Sequence, residues 1–158
     1  MSAEKTITIG LISDTHDLLR PEAIAALQGC NHIIHAGDIG GAKILKELEA
    51  IAPVTAIRGN CDEEDWAMEL PESAMLEVGE LLFFLIHSDH RAGIDYPIRG
   101  YDVIISGHTH IPKAVVKNGI LFVNPGSAGP IRRGKPVAIG RLVIEGKKVT
   151  PHLIELEV

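Results

Sequence analysis

Cysteine is scarce in this chain: Cys30 and Cys61 are the only two among 158 residues. Two isolated cysteines are too few for a disulfide framework and form no zinc-type pair, so a reduced, cytoplasmic setting is expected. No apolar run approaches the ~20 residues that cross a bilayer, so no membrane partner is expected. The opening MSAEKTITIG has neither the positive nor the apolar stretch of a secretory signal. Basic charge is also in deficit, with 15 Lys and Arg against 21 Asp and Glu and a net charge of −6. Tracking a nucleic-acid backbone takes a basic stripe that displaces counterions, so nucleic acid is a disfavoured partner. One local basic spot stands out at Arg132, Arg133 and Lys135. Linkers, repeats and low-complexity tracts are missing as well, and residues 1–158 read as one domain.

What the chain does contain is alternation. Residues 6–13 form a β-branched, largely apolar run, and after a polar loop residues 21–28, opening on Pro21 and rich in alanine, suit a short helix. The pattern repeats as a strand over 32–36, a helix over 42–50 and a strand over 54–58. Such alternation implies βαβ units and a parallel sheet. From Met75 onward the signals become those of antiparallel hairpins, with breaks at Val78-Gly79-Glu80, Asn118-Gly119 and Glu145-Gly146-Lys147. Asn-Gly is the firmest of the three, because a two-residue type I′ turn needs positive φ at both central positions. A βαβ half followed by a hairpin half, with too few helices for a doubly wound fold, predicts two sheets stacked inside flanking helices.

Five short segments concentrate metal-competent side chains: Ser13-Asp14-Thr15-His16, Gly37-Asp38, Gly59-Asn60-Cys61-Asp62, His87 and Gly107-His108-Thr109-His110. Taken singly, Asp14, Gly37-Asp38 and Gly59-Asn60 read as ordinary turns, and His87 as a hydrogen-bonded histidine at a strand end. Gly-His-Thr-His, just past a predicted strand over 103–106, points more directly to metal. Their shared placement after strands changes the reading, since in an α/β sheet ligands gather beyond the carboxyl ends of the strands. Asp14 and His16, and likewise His108 and His110, stand two apart, a spacing that in extended backbone aims both side chains to one side. Imidazole mixed with carboxylate suits Mn, Fe, Zn or Ni, whereas an all-oxygen set would suggest Mg or Ca. Asp38, lying between the two ligand groups in sequence, is the natural bridging carboxylate. Glycines 37, 59 and 107 let the backbone turn beside the metals without a Cβ in the way.

The order Asp-x-His, Gly-Asp, Gly-Asn, His, Gly-His-x-His, closed by Asn124-Pro125-Gly126-Ser127, resembles the calcineurin-like metallophosphoesterases, and within them the small bacterial and archaeal phosphodiesterase branch. The likeness runs from Ile9 to about Gly140. It implies an α/β fold, a four-layer α/β/β/α sandwich with two stacked mixed β-sheets. It also implies two divalent transition-metal ions, manganese first, with nickel, iron or zinc allowed. Asp14, His16, Asp38 and His110 would surround one ion, and Asp38, Asn60, His87 and His108 the other. Two positions depart from the family pattern. Larger members place a general-acid histidine after Gly-Asn, where this chain has Cys61, so Asn60 and Cys61 become the residues to examine for catalysis. The usual His-Gly-His is His87-Ser88-Asp89-His90, in which His90 either stands in for the missing histidine or is a solvated loop residue. The stretch 91–101 is short for the helix that commonly precedes the fifth motif.

The function these features imply is hydrolysis of small phosphate esters, with two metals lowering the pKa of a bridging water that attacks phosphorus in line. Asn60 would add a hydrogen bond while serving as ligand. Asp62 would either orient a ligand histidine or sit as a surface turn carboxylate. No inserted cap is evident, so an open site that takes phosphodiesters or varied small esters is expected. Two rivals stay in view: an interaction scaffold on the same fold, as in the vacuolar-sorting subunit of the superfamily, and a metal-dependent nuclease. A homo-oligomer is compatible with everything above.

Overall fold

The computed structural model describes residues 5–88 and 100–158. Among the described residues ten strands, some alternating and others continuously apolar, form two five-stranded mixed sheets. The first sheet contains β1 (Thr6–Ile12), β2 (His32–His35), β3 (Val54–Ala56), β9 (Ala138–Glu145) and β10 (Lys148–Glu155), in the order β10-β9-β1-β2-β3. β1, β2 and β3 run parallel, as the βαβ pattern predicts, and β9 pairs antiparallel with β1. The second sheet contains β4 (Ser73–Val78), β5 (Leu81–Ile86), β6 (Val103–Ile105), β7 (Lys113–Lys117) and β8 (Ile120–Asn124), in the order β4-β5-β6-β8-β7.

All three predicted hairpins form, each with a two-residue loop: Val78 pairs with Leu81, Lys117 with Ile120 and Glu145 with Lys148. Asn118 and Gly119 have φ of 52° and 79°, the double positive φ that a type I′ turn demands. Between the sheets lies a core that includes Ile9, Leu11, Ile34, Phe83, Leu85, Val103 and Leu142. Burying one such side chain fully is worth about 1.5–3 kcal/mol, so this interface fixes how the two sheets face each other.

Helix α1 (Pro21–Ala26) opens on Pro21 and ends two residues short of the predicted span, because the chain turns at Gly29 with φ of 84°. Helix α2 (Ala42–Glu49) directs Ile44 and Leu48 inward. Together they bury Ala23, Leu27, Ile44 and Leu48 against Ile12, Ile33 and Ile139 on the outer face of the first sheet. A third helix, α3 (Asp65–Met68), is a single turn. On the second sheet Phe84, Ile104 and Ile120 make a smaller cluster with Ile86, Tyr101 and Phe122. Among the described residues the architecture is therefore two stacked mixed sheets with few helices. His90 and most of the stretch 91–101 lie outside the described residues.

Candidate metal centre

Every segment singled out from the sequence follows a strand. Asp14 and His16 come after β1, Asp38 after β2, Asn60 after β3, His87 directly after β5, and His108 and His110 after β6. Because these strands are parallel within each sheet and the sheets are stacked, their carboxyl ends converge. His16 Nε2 lies 3.9 Å from Asp14 Oδ1 and 3.7 Å from Asp38 Oδ2. His87 Nε2 lies 3.2 Å from Asp38 Oδ2, and His110 Nε2 lies 3.2 Å from Asp14 Oδ1. His108 Nδ1 and Asn60 Oδ1 are 3.1 Å apart. All seven predicted side chains therefore meet. Among the described residues three sets of donor atoms lie within 4.8 Å of one another: Asp14, His16 and His110; Asp38, His87 and His108; and His16, Asp38 and Cys61. Asp38 belongs to two of these sets.

The backbone here differs from the extended form expected. Asp14, His16, Asp38, His108 and His110 all have positive φ, between 45° and 71°. Each such residue costs roughly 1–3 kcal/mol and persists only where its surroundings impose it, and clusters of this kind mark functional sites. The imposition is visible: the N–H groups of Asp14, His16 and Asp17 donate to the carbonyls of Gly37, Asp38 and Ile39 at 3.0, 3.0 and 2.8 Å. Asp14 and His16 meet in one donor set by way of these left-handed turns, not extended backbone, whereas His108 and His110 fall in different sets. Of the three glycines expected to ease the turns, Gly37 has a positive φ of 103°, whereas Gly59 serves by its size. A Cβ on Gly59 would meet Asp38 Oδ1 at 2.2 Å.

Charge and hydrogen bonding leave particular atoms bare. Asp14 Oδ2 accepts from Ser13 Oγ at 2.6 Å and from the His108 N–H at 3.1 Å. Asp38 Oδ1 accepts the Cys61 N–H at 2.8 Å. His87 Nδ1 donates to the Ala36 carbonyl at 2.7 Å. Among the described residues, Asp14 Oδ1, His16 Nε2 and His87 Nε2 are then buried with no hydrogen-bond partner. Burying such atoms unpaired is costly, and a cation among them removes the cost. Burial opposes charge on Asp38, yet His87 and the Cys61 N–H outweigh it and hold the carboxyl well below the usual carboxylate range. Burial opposes charge on Asp14 too, and contacts from His110, Ser13 and His87 keep its pKa below the ordinary value. Burial pushes the His87 pKa down, and the Asp38 and Asp14 carboxylates push it up further, so it ends above its ordinary value. Partial desolvation and the Asp38 carboxylate raise the Cys61 thiol.

Around these side chains stand residues whose roles were not foreseen. Asp62 is neither a histidine-orienting carboxylate nor a surface turn residue. It is 4% exposed and accepts the N–H groups of Ile39, Gly40 and Gly59 at 2.9–3.1 Å, which ties the Asp38 loop to the Asn60 loop. His35 lies inside β2, where a histidine among isoleucines is the sequence signal for its role. It is fully buried, and burial pushes its pKa down to about 4. Thr15 Oγ1 donates to the Ile39 carbonyl at 2.7 Å, so it accepts from His35 Nε2 at 3.0 Å, while His35 Nδ1 accepts the Gly37 N–H at 3.1 Å. Neutral His35 thereby clamps the Asp14–His16 loop to the Asp38 loop. Asn124 donates to the Gly107 carbonyl and to Thr109 Oγ1 at 2.9 and 3.0 Å, and Ser127 Oγ donates to the Asp14 carbonyl at 3.1 Å. The Asn-Pro-Gly-Ser segment is thus a brace for both ends of the centre.

Comparison with known proteins settles the family. The calcineurin-like phosphoesterase superfamily domain matches residues 7–147. The chain belongs to the calcineurin-like phosphoesterase superfamily. This metallophosphoesterase-family protein is 37% identical to a probable metallophosphoesterase of Methanothermobacter thermautotrophicus, across 92% of this chain and 91% of that protein. It is 32% identical to a phosphodiesterase of Methanocaldococcus jannaschii, across 93% of this chain and 99% of that protein. Among solved structures, Vacuolar Protein Sorting 29 from Cryptosporidium parvum superposes with a TM-score of 0.77 at 21% identity, covering 95% of this chain and 97% of that one. That last likeness is one of fold alone.

Proposed function

We propose that this metallophosphoesterase is a phosphodiesterase acting on small phosphate esters at the centre formed by Asp14, His16, Asp38, Asn60, His87, His108 and His110. The observation that carries the reading is the trio of buried, partnerless donor atoms, Asp14 Oδ1, His16 Nε2 and His87 Nε2, all aimed into one space. Asp14, His16, Asp38 and His110 would hold one divalent ion and Asp38, Asn60, His87 and His108 a second, with Asp38 between them. The mixture of imidazole and carboxylate favours manganese, with nickel, iron or zinc as alternatives. Divalent ions there lower the pKa of water and neutralise charge on phosphoryl oxygens.

The chain's own part is positional. With Nδ1 donated to the Ala36 carbonyl, His87 presents Nε2 as a lone pair toward the ion. The exposed Asn60 amide can donate to a phosphoryl oxygen, a contact that strengthens as charge develops. Cys61 keeps its proton at neutral pH but is a weak donor, so it is a poor acid for a basic leaving group. Exposed Asn60 and His108 mark an open mouth that admits both arms of a diester.

The fold likeness to a vacuolar sorting protein raises the scaffold reading, and the full set of donors speaks for catalysis instead. A net charge of −6 disfavours a nuclease. We further propose a single domain over 1–158, held in the cytoplasm, on the grounds of one continuous pair of sheets and two unpaired cysteines. The test is hydrolysis of bis(nitrophenyl) phosphate by manganese-loaded protein. Parent protein turns it over, and Asp38→Ala, folded by circular dichroism, falls to background. Parental turnover by Asp38→Ala would defeat the proposal.

A further inference from the structure

The basic spot at Arg132, Arg133 and Lys135 lies outside the seven-residue centre, yet the structure fixes it beside that centre. Chain leaving β8 runs along the Asp14 loop. Ser127 Oγ donates to the Asp14 carbonyl at 3.1 Å, the Ala128 N–H donates to the Ser13 carbonyl at 3.0 Å, and a Cβ on Gly129 would meet the Thr15 carbonyl at 2.3 Å. Arg20 Nε adds a bond to the Gly129 carbonyl at 3.1 Å. Further along, Lys135 Nζ donates at 2.9 Å to the carbonyl of Thr109, the residue between His108 and His110. Between these anchors the Lys135 N–H donates to the Arg132 carbonyl at 3.0 Å and Gly134 has φ of 74°, which closes a tight turn. The turn is therefore tethered on one side to the loop bearing Asp14 and His16 and on the other to the loop bearing His108 and His110. Arg132 and Arg133 are exposed, and among the described residues neither guanidinium has a hydrogen-bond or ion-pair partner.

On the side of Asn60 and His87 the described residues carry the other sign. A cavity of about 480 Å³ adjoins Asn60 and His87, and Glu63, Glu72, Met68 and Ile86 line it. Arg58, the arginine that lines it among the described residues, is committed to Glu72 at 3.3 Å and to the Leu70 carbonyl at 3.1 Å. An anion is repelled on that side and attracted on the other.

We propose that the turn at 132–135 is a second anion subsite, and that the substrate is a diester carrying a further phosphate on one arm. The inference rests on the phosphodiesterase reading above. Two divalent ions against the Asp14 and Asp38 carboxylates would leave two positive charges, which the scissile diester and the attacking hydroxide together use up. A further phosphate takes its own cations, and arginine offers a planar fork that binds phosphate oxygens two at a time. The phosphorylated arm lies over Arg132 and Arg133, and the uncharged arm lies toward the cavity beside Asn60. Both arginines are exposed, so salt within the physiological screening length of about 8 Å weakens the attraction.

Two nitrophenyl diesters test this, one with a plain alkyl second arm and one whose second arm ends in phosphate. With manganese-loaded parent protein, KM for the phosphorylated ester is expected about tenfold below that for the plain ester, a contrast typical of charge-assisted contacts partly screened by solvent. In Arg132→Ala/Arg133→Ala that ratio collapses toward one and kcat for the phosphorylated ester is retained. Equal KM values in the parent, or a ratio that survives the double substitution, overturns the subsite. Inorganic phosphate separates substrate-borne from free phosphate. Inhibition of the plain ester that is unaltered by the double substitution supports the proposal, whereas inhibition abolished by it assigns the turn to free phosphate and overturns it. If neither ester is hydrolysed, the phosphodiesterase reading fails, and calorimetric binding of the phosphorylated ester to parent and double variant still decides the subsite, with equal affinities against it.

Discussion

His87 Nε2 stands 3.2 Å from Asp38 Oδ2 while the other ring nitrogen of His87 is spent on the Ala36 carbonyl. A lone pair facing a carboxylate at that distance repels it, so the pair is stable only with a proton or a metal cation between them. That single contact ties β5 of one sheet to the loop after β2 of the other. It makes the position of Asp38 the most sensitive coordinate of the centre.

Gly59 guards that coordinate without supplying a ligand. A Cβ there would fall 2.2 Å from Asp38 Oδ1 and 2.4 Å from its N, so Gly59→Ala must displace the carboxylate. Misplacement of about 1 Å costs roughly 10²-fold in turnover, and a loss of that order is expected with little change in circular dichroism. Parental turnover and parental manganese affinity in Gly59→Ala would show that the centre tolerates movement of Asp38.

His35 predicts a pH signature in the metal-free protein. Its pKa is near 6.5 when unfolded and is pushed down to about 4 in the fold, chiefly by burial. The unfolded chain therefore binds one more proton between those values, so stability is full above 6.5, declines as pH falls, and levels off below 4. The loss from this residue is about 3 kcal/mol. Denaturant unfolding across that range should show His35→Asn with a flatter profile than the parent. Parallel profiles would mean that His35 takes up its proton inside the fold.

Cys61 follows Asn60, and partial desolvation together with the Asp38 carboxylate raises its thiol, which stays protonated but donates weakly. General acid catalysis contributes roughly 10²–10⁴-fold only when the leaving alkoxide is too basic to depart unaided. Cys61→Ala should then change aryl diester turnover little, and Cys61→His should favour alkyl esters. A large loss for Cys61→Ala on aryl diesters, at matched metal occupancy, would give the thiol an essential role.

Much of this was legible from residue identity. Gly107-His108-Thr109-His110 and the Asp, Asn and His groups after predicted strands carry their chemistry in the side chain, and parallel strands bring them to one edge whatever the loop details. Asn118-Gly119 declared its turn for the same reason, since few residues accept its φ values. Backbone form inside the centre was not legible. Asp14 and His16 read as extended, yet hydrogen bonds to Gly37, Asp38 and Ile39, 22–23 residues away, impose left-handed turns. The role of Asp62, and His35 altogether, were not legible for a related reason: their partners include backbone amides of loops whose approach only the folded sheets determine.

The central claim is that the seven side chains form one two-metal site that turns over phosphodiesters. Titrating metal-free protein with manganese while following bound metal and bis(nitrophenyl) phosphate hydrolysis together tests it most directly. Activity is expected to be absent without metal, to climb with occupancy and to reach its plateau at about two ions per chain, with Asp38→Ala failing to bind the pair. Full hydrolysis by metal-free protein, or a plateau at two ions that Asp38→Ala reproduces, would contradict it.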